Sequence, residues 1–434
     1  MHLVQPVRDP VRAFAQSALV DAFGRVRMSE ALTIFDSQQE YGLHTSTTWD
    51  ATANGTMAAP SQNGSVSSGG NAVGPTDANT RMTPVTASAT NGHYAVLQSR
   101  QYVRYIPGKS HLVFVTGVFA PAAGCAARFV LRSSTSGSVD DSRTVSQAAW
   151  NIDPFDGTGP SGVMLDFTKT QILFISAQWL GVGRVVVGFD VDGIIYPAHQ
   201  FLNANILPVP YTQTFNLPVR LEARNTGASE FRAWVGYFDA ANGVFLELVK
   251  GLTGGTISFV CCSVQSEGGN LLRGFPRSVG RGAASVAVTA RRPVLAIRPK
   301  ATYNSRTNRG HIGLADYDIA AQTNPSYHEI VIGGTLTAGG GAPTWTSVGD
   351  ASIAEYCLDA DAISGGTTVI SGYVLSGTGA TKGAAQAEVD LRNPLILGQI
   401  DALAATQYAL TIVCTSTSGT SNILAAMNWH EQIL

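Results

Sequence analysis

Between residues 111 and 264 the chain is a succession of short runs of β-forming residues: HLVFVTGVF, QILFISAQWL, RVVVGFDV, IIYPAHQF, VRLEAR, FRAWVGYFD, VFLELV and TISFVCCSV. None is longer than ten residues, and Gly, Pro, Asn or Asp signals separate them. Many short strands divided by turn residues predict an antiparallel β-sandwich or jelly roll. Asp192-Gly193 lies between two of the runs and carries the signal of a type I′ hairpin. Asn242-Gly243 marks a second hairpin in the same block.

A further β-rich block closes the chain. Tyr408, Leu410, Ile412 and Cys414 share one strand face, and Ile423, Ala425, Met427 and Trp429 alternate in the same way after STSGTS. These eight residues predict a terminal hairpin with a core face. The expected fold is therefore all-β. A jelly-roll-like β-sandwich spans 43–268 and a Gly- and Arg-rich crossover spans 269–290. A smaller β-sandwich follows at 291–434, and an N-terminal arm occupies 1–42. Residues 43–92, rich in Ser, Thr, Asn and Gly, read as long loops or thin strands. Asp9-Pro10 reads as the cap and first position of a short helix ending at Gly24, with an extended arm as the alternative. No period of 20–50 residues repeats, which argues against a solenoid or propeller.

Charged residues make up 13% of the chain, about half the usual share, and the net charge is −2. Such a composition lacks the basic footprint of a nucleic-acid binder. The basic group Arg291, Arg292, Arg298 and Lys300 is sparse and reads as a solvated or interface-paired face. No apolar run approaches the length of a membrane span, and MHLVQPVRDP lacks the apolar core of a secretory signal. The five cysteines, Cys125, Cys261, Cys262, Cys357 and Cys414, are odd in number and form no C-x-x-C. They read as reduced, buried thiols, not a disulfide frame or zinc site.

The motifs that suggest chemistry fail on their surroundings. Gly108-Lys109-Ser110 is followed by a β-branched run in place of the helix that a phosphate loop needs. Gly181, Gly183 and Gly188 lack the dinucleotide spacing and fit a bulge or close strand approach. Asp190, Asp192 and Gly193 resemble part of a calcium loop, but Phe201 stands where the closing Glu would be. Asp153 and Asp156 share a Gly-rich loop, where ordinary turn chemistry also places Asp. No G-x-S-x-G elbow occurs, and His44, His93, His111, His199, His311, His328 and His430 form no ligand pair. Asp316 with Asp318, and Asp359 with Asp361, fall on common strand faces, yet turn ends explain them equally well. The sequence thus implies no catalytic residue, cofactor or metal.

One stretch stands apart: DAFGRVRMSEALTIFDSQQEYG, Asp21 to Gly42, denser in charge and aromatics than its surroundings. Together with YIPGKSHLVFVTGVF, WNIDPFDGTGPSG, LDFTKTQILFISAQWLGVGRVVVGF, RRPVLAIRPKATYNSRTNRG and the closing AMNWHE, it resembles a family of virion structural proteins of tailed bacteriophages. The resemblance lies in the order of the stretches and covers most of the chain outside 50–90. It implies a β-rich, structural or tail-fibre-like component of tail or capsid, and it implies no activity. With the low charge, the β-runs and the missing catalytic motifs, the expectation is a non-enzymatic, oligomeric tail-fibre or tail-attached protein, with copies of itself and other virion proteins as partners and the virion as its location. A capsid decoration or head-fibre protein is the alternative placement. A carbohydrate-binding adhesin for host surface polysaccharide is the alternative function.

Phe23, Arg25, Arg27, Glu30, Phe35 and Asp36 are the expected interface residues, because apolar side chains can dock while alternating charges pair across a contact. For glycan stacking, Trp49 and Trp345, beside Gly- or Thr-rich loops, are the candidates for exposure, whereas Trp179 and Trp429 read as core. A hydrolase would need a carboxylate pair in a cleft, which the sequence does not display.

Overall fold

In the strand Ser110–Val118 burial alternates strictly from residue to residue, so His111, Val113, Val115 and Gly117 face inward while their neighbours face out. The same period governs Ile257–Glu267 and Ser421–Gln432. Each is long enough to span a sheet, and β-branched or aromatic residues such as Val113, Val115, Ile257, Phe259, Val264, Ile423 and Trp429 stand on the inner faces. The computed structural model describes residues 31–432, apart from 41, 44, 46–47, 59–63, 69–70, 77–78, 84–91, 227–229, 252–254, 268–273, 309, 377–383 and 389–407. The chain is all-β. The one described helix is a single 3-10 turn at Gln147–Ala149, so no described helix is long and apolar enough to cross a membrane. It divides into two compact units, residues 1–270 and 271–434.

In the first unit, one antiparallel sheet runs Ile194–Phe201, Val185–Val191, Gln171–Ala177, Ser110–Val118, Ile257–Glu267, Asn79–Thr83, Asn71–Thr76, Val66–Ser68. Ala31–Gln38 pairs with the same side of Ile257–Glu267 as Asn79–Thr83 does. The second sheet runs Asp140–Ser146, Ala126–Ser133, Gly243–Lys250, Phe231–Phe238, Val219–Asn225, Tyr94–Ser99, Trp49–Ala53, Thr56–Met57. The core is built from both: Val113, Val115, Leu173 and Val187 on one sheet, Leu97, Leu221, Val235 and Leu246 on the other. Burying one such side chain contributes roughly 1.5–3 kcal/mol. Phe129, Trp150, Phe155 and Phe189 add an aromatic cluster with ring centroids 4.5–6.5 Å apart. The Asp192-Gly193 turn has positive φ at both residues, as a type I′ hairpin requires. The other hairpin uses a four-residue loop, Asp239 to Asn242, so Asn242-Gly243 closes it without being its turn.

The second unit repeats the plan on a smaller scale. One sheet runs Phe275–Gly280, Ser421–Gln432, His311–Ala321, Ala384–Glu388, with Val286–Val288 also on Ser421–Gln432. The other runs Thr346–Ser347, Ala354–Cys357, Arg292–Pro299, Leu410–Ser416, Ser326–Ile332, Thr367–Val374. Trp429, Tyr317, Met427, Ile330, Ile412 and Leu295 form its core.

Several expectations change here. Leu410–Ser416 and Ser421–Gln432 are not a hairpin. They lie in different sheets, and their alternating faces meet from opposite sides of one core. Alternation fixes which face is buried but not which strand is the neighbour. The expected crossover at 269–290 contains two strands, Phe275–Gly280 and Val286–Val288, that complete the sheet around Ser421–Gln432. The expected arm at 1–42 is, over Ala31–Gln38, a sheet strand, because ALTIFDSQ places Phe35 in the core. Within residues 43–92 the thin-strand alternative holds at Trp49–Ala53, Thr56–Met57, Val66–Ser68, Asn71–Thr76 and Asn79–Thr83. The helix expected at 10–24 lies outside the described residues.

Candidate functional site

Of the expected interface residues, Phe23, Arg25, Arg27 and Glu30 lie outside the described residues. Phe35 is buried against Trp49, with ring centroids 5.8 Å apart, while Asp36 is exposed. Trp49 is fully buried, not exposed. It opens the strand Trp49–Ala53, packs edge-on against Phe35 and Phe259, and donates its indole N–H to Ser37 Oγ at 2.8 Å. Trp345 is half-buried, and the Arg298 guanidinium, 3.9 Å from the ring centroid, lies over it while pairing with Glu355 at 2.6 Å. Trp49 is therefore closed to stacking on a sugar, and Arg298 covers one face of Trp345.

The outward face of the first unit's eight-stranded sheet carries an organised set of charged residues. Leu221 and Ala223 point into the core, so Arg220, Glu222 and Arg224 point away from it. Phe231–Phe238 likewise presents Arg232 and Trp234, and Gly243–Lys250 presents Phe245 and Glu247. Register sets Val96, Glu222, Trp234, Glu247 and Arg128 in one row across five strands.

Both carboxylates of that row are saturated. Glu222 Oε2 accepts from Arg220 Nη2 at 2.7 Å, and its Oε1 accepts from Arg224 Nε at 2.8 Å and Nη2 at 2.6 Å. Glu247 Oε2 accepts from Arg128 Nε at 2.6 Å, and its Oε1 accepts from Arg232 Nη1 at 3.0 Å and Trp234 Nε1 at 2.9 Å. Two further guanidinium groups lie near the Trp234 ring, those of Arg132 at 5.2 Å and Arg224 at 5.3 Å. A carboxylate whose oxygens are all engaged by neighbouring N–H donors has little left to present to a substrate. The sequence signal for this lattice was present in RLEAR and FRAW, where charge alternates with core residues, but nothing local shows that the strands align.

Asp50 sits on the next strand but one, 3.1 Å from Arg100 Nε. Burial pushes its carboxyl up to about 6, outweighing the opposing pull of Arg100. The remaining acidic candidates fix backbone. Asp153 accepts from the Phe155 and Ser161 amides, and Asp156 from Thr158. Asp359 accepts from the Thr344 amide and Asp361 from the Gly339 amide, while Asp316 accepts from Asn428. Among the described residues no three His, Cys, Asp or Glu side chains are grouped to hold a metal. Gly108-Lys109 is a turn feeding the strand Ser110–Val118, and Gly188 lies at a register shift where a Cβ would meet the Tyr196 carbonyl. None of the five cysteines is bonded to another.

No family model and no curated protein matches this chain. Solved structures similar to part of it include an endo-1,3-beta-glucanase from Streptomyces sioyaensis, at 12% identity over 56% of this chain and 99% of that one, with a TM-score of 0.21. A lectin from Bauhinia forficata in complex with GalNAc matches at 12% identity over 56% and 100%, with a TM-score of 0.18. A triple jelly-roll protein of an archaeal virus matches at 8% identity over 93% and 98%, with a TM-score of 0.18. Likenesses this distant carry no argument about activity. The sandwich assignment rests on the strand pairing above.

Proposed function

We propose that the chain is a non-enzymatic structural component of a tailed-phage virion, attached to the tail and assembled with copies of itself. The ordered sequence stretches support the virion reading, and the engaged Glu222 and Glu247 support a scaffold in place of a hydrolase.

One strand carries the assembly reading. Thr367–Val374 forms the edge of the six-stranded sheet and contains no charge and no proline. Val369 and Tyr373 are exposed on it, Tyr373 to 70%, and Leu375 is exposed just beyond. Apart from a register shift beside Val331, its pairing with Ser326–Ile332 is regular. Every other described edge is guarded or short. Asp140–Ser146 carries Asp140, Asp141 and Arg143, Phe275–Gly280 carries Pro276 and Arg277, and Ile194–Phe201 carries Pro197. Ala31–Gln38 has Asp36 and Ala384–Glu388 has Glu388. Val66–Ser68, Thr56–Met57, Val286–Val288 and Thr346–Ser347 span three residues or fewer. An uncharged, apolar edge is a template for another strand, and a second copy of itself meets it without like-charge repulsion.

The test is sedimentation velocity on the wild type and on Tyr373→Lys with Val369→Lys. A wild-type oligomer that dissociates in the double variant is expected; a wild-type monomer at high concentration would contradict assembly. Antibody against the chain, applied to intact particles, should label the tail; unlabelled particles would remove the virion reading.

A further inference from the structure

We propose that an apolar patch at one end of the first unit is covered by residues 11–22 of the same chain, a contact that assembly through Thr367–Val374 does not use. Leu180 and Val182 on one loop, and Leu202, Ile206 and Val209 on another, are all exposed, Ile206 to 62%. Apolar side chains exposed singly are ordinary, but a group of them on two joined loops is a surface that takes a partner. Neither 178–183 nor 201–215 contains a charged residue, so the partner is apolar.

The two loops are fastened to each other. The Tyr211 amide donates to the Gly181 carbonyl at 2.8 Å, the Trp179 indole N–H to Thr212 Oγ1 at 2.7 Å, and Asn203 Nδ2 to the Gly183 carbonyl. Leu180 is held at φ 39°, a left-handed conformation that disfavours a side chain, and its amide donates to the Tyr105 hydroxyl at 3.2 Å. The patch is a braced surface, not a pair of separate loop tips.

Strand register brings the start of the described chain to the same end of the sheet. Leu32 pairs with Ser266, Ser266 with His111, His111 with Ala177, Ala177 with Val185, and Val185 with Phe201, in one row across six strands. Ala31 lies just beyond that row, and so do both loops. Counting strands, Ala31 is about 14 Å from the first loop and about 24 Å from the second.

The sequence ahead of Ala31 carries a matching face. Val11, Phe14, Ala15, Ala18, Leu19 and Ala22 recur at i, i+3, i+4, i+7, i+8 and i+11, behind the Asp9-Pro10 start signal. Arg12, Gln16, Ser17 and Asp21 fall outside that stripe. Coiled as a helix, 11–22 would be roughly 18 Å long, and 23–30 extended would reach about 26 Å. The stripe therefore reaches both loops within one molecule. A short tether gives an attached segment an effective concentration on the order of millimolar, so it fills the patch ahead of a second copy.

Cysteine cross-linking in the full chain tests the contact. Under mild oxidation, Leu19→Cys with Ile206→Cys should form a disulfide within one molecule, monomeric on a non-reducing denaturing gel and located by peptide mass spectrometry. Leu19→Cys with Ile194→Cys, at the opposite end of the same strands, should not. Carbene footprinting of the wild type should find Leu180, Ile206 and Val209 protected, and Phe14→Asp with Leu19→Asp should raise their labelling at least threefold. Labelling unchanged in that variant would overturn the proposal. So would a 19–206 link that forms only between two molecules, or no more readily than 19–194. Phe14→Asp and Leu19→Asp lie outside the sandwich strands, so the footprint reads the contact even where Ile206→Cys disturbs its loop.

Discussion

Two buried tyrosines of the first sandwich, Tyr237 and Tyr211, differ in what their hydroxyls meet. Tyr237, fully buried, donates to the Val103 carbonyl at 3.0 Å, with the Phe215 carbonyl at 3.2 Å and His111 Nδ1 also at 3.2 Å. The hydroxyl of Tyr211, a residue 2% exposed, has no hydrogen-bond partner among the described residues. The arginines divide in the same way. Arg220 is buried on Glu222, whereas Arg143 has no carboxylate partner among the described residues. A polar group satisfied inside the fold contributes to stability and has little left for a ligand. One left unsatisfied lowers stability.

That contrast can be tested from its strong end downward. Glu222→Ala leaves Arg220 buried without its carboxylate and should cost about 3–5 kcal/mol, read by urea unfolding. A loss below about 1 kcal/mol would mean that the lattice is ornamental. Asp50 comes next, because its carboxyl is held above its ordinary range, at about 6. Its folded pKa exceeds its unfolded one, so its contribution is complete below about pH 4 and is lost as pH rises through about 6. The decline is on the order of 3 kcal/mol. Asp50→Asn should flatten the stability profile across that window, and an unchanged slope would show that Arg100 already compensates the burial. Removing the Tyr237 hydroxyl leaves buried carbonyls short of a donor and should cost about 1–2 kcal/mol.

Much of the architecture was legible in short-range pattern. Alternation marked the inner faces of Leu410–Ser416 and Ser421–Gln432, and Asp192-Gly193 gave its turn outright. What alternation cannot state is partnership. Leu410–Ser416 and Ser421–Gln432 are adjacent in sequence yet belong to opposite sheets. Trp49 looked exposed because its neighbours are Thr, Ala, Asn and Gly, but its burial depends on Phe35 and on Phe259, which is 210 positions away. The charged row was hidden for the same reason: Arg128, Glu222, Trp234 and Glu247 come from four separate strands, and no local spacing aligns them.

The most direct measurement compares the two hydroxyls themselves. Urea unfolding of Tyr237→Phe and Tyr211→Phe, without added ligand and followed by tryptophan fluorescence, should give opposite results. Tyr237→Phe should lose about 1–2 kcal/mol, and Tyr211→Phe should be unchanged or gain up to about 1 kcal/mol. Equal losses in the two variants would show that the Tyr211 hydroxyl is a structural group after all, and would contradict the division between satisfied and available polar groups.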